Sequence, residues 1–282
     1  MKLDLSIGVL SAAFLTALTT SPAAMALEKE LLDVLLANGA ITQAQHEALL
    51  AKVDLDEKDI KEVVVKVDKK GLNVESEEGD YYFQIGTRLH AEASTHGDIE
   101  GASPNNGTEL RRARLQTKGK FAKDWSWAAE VDFADNKTSI KDFWLGYKGA
   151  SGTKYYFGNQ KQPFSLALEM SSNDIPFIAR SVDNNLAAAF TDRAIGFRFD
   201  KSGTNWFVSG GIFGESVSPP GTPSDEGWGV AGRFVYSPII ESDQILHLGI
   251  QAAMRDTNTG SQSIRVRDET THLSSLRIVD TG

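Results

Sequence analysis

Between Tyr81 and Asp256 apolar and polar residues alternate in runs of strand length. The runs are joined by connections that are alternately short (122–124, 150–153, 201–204, 238–243) and long (95–107, 135–139, 162–192, 215–226). Successive side chains of a strand point to opposite faces, so such alternation predicts strands with one apolar and one polar face. Tight turns on one rim and long loops on the other are the plan of an antiparallel barrel that crosses a bacterial outer membrane, apolar outward and polar inward. A soluble sandwich has no reason to sort its loops by length. Nine strands are predicted by Asp256.

The two faces of each strand follow from parity. Phe83, Ile85, Leu89, Ala91 and Ala93 oppose Gln84, Arg88, His90 and Glu92. Ala113, Leu115, Thr117 and Phe121 oppose Arg112, Arg114, Gln116, Lys118 and Lys120. Trp125, Trp127, Ala129, Val131 and Phe133 oppose Ser126, Glu130 and Asp132. Later, Ile195, Phe197 and Phe199 oppose Arg198 and Asp200; Trp228, Val230, Phe234 and Tyr236 oppose Arg233; and Leu246, Leu248, Ile250, Ala252 and Met254 oppose His247, Gln251 and Arg255. The expected pore-lining cations are therefore Arg88, Arg112, Arg114, Lys118, Lys120, Arg198, Arg233 and Arg255, with Glu130 and Asp132 as lining carboxylates. Tyr81, Tyr82, Phe121, Trp125, Tyr147, Tyr155, Trp206 and Tyr236 lie near strand ends, where aromatic rings form interfacial girdles.

Upstream, the period changes. Met1 to Ala26 reads as a secretory signal peptide: Lys2, an apolar core from Leu5 to Leu18, and Ala24-Met25-Ala26 for cleavage after Ala26. Residues 27–80 read as a periplasmic segment. Within it, 27–52 form a short helical hairpin with Leu31, Leu32, Leu35 and Leu36 on one face and Gly39 as stop. Thr42 and Gln45 make a capping box for a second helix carrying Ala48, Leu49 and Leu50. Residues 54–62 are a charged linker, and Val63–Val67 with Leu72–Val74 make a short β-hairpin. Residues 81–282 are the partial barrel.

Composition refines this only slightly. Mean hydropathy is −0.26, which says little about a barrel because only every second residue meets lipid. The net charge of −9 is uneven: residues 27–80 carry 7 Lys/Arg against 14 Asp/Glu, and residues 81–282 carry 21 against 23. The chain has no cysteine, so thiolate metal sites and disulfides are excluded. Five histidines (His46, His90, His96, His247, His272) sit in no G-x-S-x-G or H-E-x-x-H context, and there is no phosphate-binding glycine loop. We therefore expect no enzyme activity, no cofactor, no metal and no nucleic-acid partner. A barrel enzyme and a soluble periplasmic β-rich binding protein remain the alternatives.

Particular stretches carry more information. Leu110-Arg111-Arg112-Ala113-Arg114-Leu115 is followed by Lys123-Asp124-Trp125 and Glu130-Val131-Asp132-Phe133. Ile140-Lys141-Asp142 leads to Gly158, then Gln162-Pro163-Phe164-Ser165-Leu166, Ser171-Ser172 and Phe177-Ile178-Ala179-Arg180. Leu246-His247-Leu248-Gly249 precedes Arg255-Asp256, Arg265 and Arg267. In combination these resemble the phosphate-selective porin O and P family, from Gly71 to Gly282.

That resemblance implies an all-β fold: an antiparallel transmembrane β-barrel, with nine strands here of about sixteen, preceded by the helical hairpin. It implies a homotrimer when full length, and further C-terminal strands beyond Gly282. It implies that residues 162–192 fold inward as the constriction loop, with Lys161, Pro163, Phe164, Leu168, Asn173 and Arg180 as its notable residues. Arg111 joins the basic positions and Asp142 the acidic ones. Where phosphate-binding members carry constriction lysines, this chain has Ser126, Leu168 and Asn173. The expectation is an outer-membrane porin, surrounded by lipid, that passes small hydrophilic or anionic solutes. Its anion preference is expected to be weak to moderate, with phosphate and polyphosphate as candidates.

Overall fold

A computed structural model describes residues 22–59, 63–97, 105–217, 226–256, 264–269, 272–273 and 276–282. The first 21 residues, most of the expected signal peptide, lie outside the described residues. The chain divides into two compact units, Met1–Val63 and Val64–Gly282.

The first unit holds helices α1 (Pro22–Ala37) and α2 (Gln43–Asp59). Gly39, at φ +69°, closes α1: its N–H donates to Leu36 O at 3.0 Å and the Ala40 N–H to Leu35 O at 2.9 Å. That paired arrangement caps the orphan carbonyls of the last turn, and glycine reaches its left-handed conformation without a Cβ penalty. The capping box is present: Thr42 N–H donates to Gln45 Oε1 at 2.9 Å, and Gln45 N–H to Thr42 Oγ1 at 3.3 Å. The apolar contact is narrower than the leucine face suggested. Leu32 is buried against Ile41 and Leu50, whereas Leu31 and Leu49 are exposed. The expected linker at 54–62 is helical through Asp59, because no glycine or proline interrupts the run.

The second unit is one eleven-stranded antiparallel sheet in sequence order. A short hairpin, β1 (Val63–Asp68) and β2 (Gly71–Ser76), leads into the long strands β3 (Tyr82–Ser94), β4 (Gly107–Phe121), β5 (Trp125–Asp132) and β6 (Ser139–Lys148). The sheet continues as β7 (Lys154–Lys161), β8 (Arg193–Ser202), β9 (Trp206–Phe213), β10 (Trp228–Ile240) and β11 (Ile245–Asp256). Strands β3 to β11 are the nine expected. A small pair, β12 (Arg265–Val266) and β13 (Val279–Asp280), follows. No described helix is long and apolar enough to cross a membrane, which says nothing about crossing by strands.

Burial in the sheet is the reverse of that in a soluble protein. Leu89, Phe143, Phe157, Ile212 and Ile250 are more than 60% exposed, while Arg112, Glu130, Asp132, Arg198 and Arg233 are under 9% exposed. Water cannot be the solvent of the apolar face; a surface of contiguous exposed apolar side chains on every strand is stable against hydrocarbon. The sheet is the wall of an antiparallel transmembrane β-barrel. On its outer face the Trp125 ring lies 4.9 Å from Tyr147 and 6.1 Å from Phe121, a belt beside the short turns. Tyr82, expected in that belt, instead faces inward: its hydroxyl donates to Asn73 Oδ1 at 2.7 Å, as parity with Gln84 requires.

Among the described residues, three bulges break the alternation. His90 pairs with Arg112 but Ala91 with Leu110, leaving Arg111 extra on β4. Ala129 pairs with Phe143 but Val131 with Ile140, so Lys141 and Asp142 oppose Glu130 alone. The third lies at Ser237-Pro238 on β10, where proline cannot donate to the ladder.

Candidate functional site

The polar inner face of the sheet is crossed by the 162–192 loop. Two helices stiffen that loop, α3 (Leu166–Glu169) and α4 (Val182–Thr191). Ser165 caps α3 by accepting from Leu168 N–H at 3.0 Å, and its hydroxyl donates to Asn184 Oδ1 at 2.9 Å, which ties the helices together. The carbonyls at the end of α3 are taken up by cations, as the negative end of a helix favours. Lys161 Nζ donates to Glu169 O and Met170 O at 3.2 and 3.1 Å, and Arg180 donates to Ala167 O and Met170 O at 2.8 and 2.9 Å.

Contacts at both flanks hold the loop across the inner face. On β3, Arg88 donates to Ser172 Oγ at 3.2 Å and His90 Nε2 lies 2.9 Å from Asn173 Oδ1. On β8, Arg198 forks onto Glu169 at 3.1 and 3.0 Å while also pairing with Asp200. Between these anchors runs a ladder of charge across the wall. Arg114 reaches Glu130 at 2.8 Å and Asp132 at 2.7 Å, Arg88 lies 3.6 Å from Glu130, and Arg193 takes both oxygens of Asp142.

Two cavities flank this ladder, each with a volume of about 350 Å³. The first lies toward the long loops and the second toward the short turns. Arg88, Lys161 and Arg193 line both, so these three cations stand between the two cavities. The first cavity is lined by ten arginines and lysines against three carboxylates, a surplus of seven positive charges. The second is lined by four cations (Arg88, Lys161, Arg193, Arg198) against four carboxylates (Glu130, Asp142, Glu169, Asp200), and so is balanced. Trp144 and Tyr156 meet edge-to-face in its wall at 5.0 Å. In the loop region of the first cavity, burial holds the Arg267 guanidinium below the usual arginine range, helped by the positive charges of Arg277 and Arg111.

The expected site residues fall into distinct groups. Arg88, Arg111, Arg112, Arg114, Lys161, Leu168 and Arg180 line the first cavity; Glu130, Asp142 and Arg198 line the second. Asp132 lines neither, being held by Arg114 and by the amides of Ala113 and Ala134 at 3.1 and 3.2 Å. Lys118 and Lys120 pair across from Gln84 and Tyr82, near the short turns and away from both cavities. Arg233 meets His247 at 2.9 Å, and Arg255 binds Gly214 O at 3.1 Å and Glu215 at 2.7 Å. Pro163 is fully buried, and Phe164 and Asn173 line neither cavity.

Arg193, Lys141, Glu169 and Glu269 were not anticipated. Parity with Ile195 assigns Arg193 to the lipid side, but it is the first residue of β8, where the pleat gives way to the loop. Glu269 lies past the last alternating run, where no periodicity signals a face.

The family model for phosphate-selective porin O and P matches residues 83–275. The chain belongs to the phosphate-selective porin O and P family. Porin O of Pseudomonas aeruginosa is 24% identical over 219 residues, 73% of this chain and 49% of that relative. An uncharacterized protein of Caulobacter vibrioides is 27% identical over 194 residues, 62% of this chain and 37% of that relative. The chain thus spans less than half the length of the curated relatives it matches.

Proposed function

We propose that this chain forms part of the wall and the constriction of an outer-membrane porin, a water-filled passage for small hydrophilic solutes with a weak to moderate preference for anions. One observation carries the reading: a strongly cationic cavity opens toward the long loops and meets a charge-balanced one at Arg88, Lys161 and Arg193. Charged rings in a narrow lumen select by attraction and by replacing part of an ion's hydration shell. The first cavity concentrates anions; the carboxylates of the second let them leave, because conduction needs binding that is weak enough to release.

The same reading places the 162–192 loop as the constriction, the remaining lining residues along the lumen, lipid against the outer face, and export by the N-terminal segment with cleavage after Ala26. It takes the assembled protein as a homotrimer. Ser126, Leu168 and Asn173, where phosphate-binding members carry lysines, argue against a tight phosphate cradle. Phosphate and polyphosphate are then solutes among others, and no catalytic step is assigned.

The test is the full-length protein in planar bilayers under a potassium chloride gradient. The reversal potential should show a modest chloride preference. A cation-preferring channel, or a product found soluble in the periplasm, would overturn the proposal.

A further inference from the structure

Glu269 has more donors than an ion pair needs. Its Oε1 accepts from Arg112 Nη2 at 2.9 Å, Arg111 Nη2 at 3.3 Å and Arg180 Nη1 at 3.5 Å. Its Oε2 accepts from the Arg180 backbone N–H at 2.7 Å. Three guanidinium groups and an amide converging on two oxygens are the donor set of an oxyanion site. The group occupying it belongs to the chain itself. Arg111 and Arg112 come from β4, Arg180 from the crossing loop, and Glu269 from the segment that begins with β12.

That segment is fastened on both sides. Asn185 Nδ2 donates to Arg267 O at 3.3 Å, Arg267 Nη1 donates to His272 O at 3.0 Å, and the His272 ring lies 2.6 Å from Glu109. The segment is thereby held beside the cationic cavity, and the Glu269 carboxylate reaches into it on its own side chain.

We propose that Glu269 is a tethered counter-anion: it fills the oxyanion site of the first cavity, and a passing phosphate or similar small oxyanion binds there by displacing it. The inference rests on the anion-preferring reading above and deepens it. A carboxylate on a short tether competes at an effective concentration on the order of millimolar, so free anions below that level gain little occupancy. Removing its charge leaves three poorly hydrated guanidinium groups facing one another; the Arg112 side chain is only 6% exposed. An uncompensated cluster of this kind is costly, and an anion drawn from solution relieves it. Glu269 therefore sets how tightly the pore holds oxyanions.

The experiment titrates inorganic phosphate against the chloride current of the full-length protein in planar bilayers. Wild type is compared with Glu269→Gln, which keeps the shape and loses the charge, and Glu269→Asp, which keeps the charge and draws it back by one methylene. The half-blocking phosphate concentration should fall by about tenfold in Glu269→Gln and about threefold in Glu269→Asp, since the tethered competitor is removed in one and weakened in the other. Either variant decides the matter if the other yields no channels. An unchanged half-blocking concentration, in a wild-type channel that does prefer chloride, overturns the counter-anion role alone. A wild-type channel that prefers cations overturns the reading of the pore beneath it.

Discussion

Arg193 and Asp142 meet side-on, Nε and Nη2 lying 3.0 and 2.9 Å from the two carboxylate oxygens. The pair joins the start of β8 to the bulge of β6 and stands where the two cavities meet. A bidentate fork fixes the guanidinium in direction as well as charge. Asp142 thus holds Arg193 between the two cavities and cancels part of its field.

Asp142→Asn should separate those two roles. Among the described residues, Arg193 keeps one hydrogen bond to the asparagine oxygen, and its remaining carboxylates are Glu130 and Asp192, each 3.8 Å away. The reversal potential should shift toward chloride, because a positive charge at the junction loses its counter-charge. The folded barrel should lose about 1.5–3 kcal/mol, the range for a hydrogen bond to a charged group. Reversal potential and urea titration of the detergent-solubilised full-length protein measure the two effects. A shift toward cations would show that Asp142 does not screen the conducting path.

The two faces of the wall should respond oppositely to charge. Arg112 is on the inner face and Phe157, 65% exposed and midway along β7, on the outer. Arg112→Glu should insert normally and move the reversal potential toward cations, since it also places a second carboxylate beside Glu269. Phe157→Arg should leave selectivity unchanged and weaken insertion by about 2–4 kcal/mol, the cost of a midplane cation facing lipid. Liposome refolding yields compare the two directly; equal yields would mean the faces are misassigned.

Alternation made most of this wall legible, and the departures have a common cause. The 122–124 turn and the 162–192 loop end where the hydrophobic pattern predicts them, because a period of two fails abruptly at a strand end. Bulges are invisible to that pattern. At Arg111 and at Lys141-Asp142 one extra residue lets consecutive charged side chains reach the cavities. Parity with Arg112 sends Arg111 outward, and family resemblance alone points to it as a lining cation. Glu269 depends on where a late segment docks, which no local pattern encodes.

Gly158 occupies a place no other residue fits. Its φ is +131°, and a Cβ there would lie 2.3 Å from Phe143 O and 2.7 Å from Trp144 Cα, both backbone atoms that cannot swing aside. It pairs with Trp144 in the β6–β7 ladder, beside the bulge that carries Asp142. Gly158→Ala should therefore destabilise the barrel by about 1–3 kcal/mol from backbone strain alone, with further loss from the displaced ladder. A lowered temperature of the heat-induced mobility shift on gels would register it. Unchanged stability would mean the strand relaxes without strain.

Asn173 is an accessible position on the crossing loop at which a charge can be added. It is exposed, and its amide oxygen lies 2.9 Å from His90 Nε2, on the stretch of loop that Arg88 also holds through Ser172. Leu168 is a buried residue of α3 at the wall of the first cavity, so a lysine there would have to extend out of the packed helix before it could meet a solute. Asn173→Lys needs no such rearrangement and adds a mobile ammonium close to the junction cations. An added positive charge within about 8 Å of a bound divalent oxyanion is only partly screened at physiological salt. Phosphate should then block chloride current at a concentration lowered by roughly three- to tenfold, equivalent to about 0.7–1.4 kcal/mol. The gain should shrink as salt is raised, because it is electrostatic. A salt-independent gain would point to reshaping of the loop, and no gain would place Asn173 off the path that anions take.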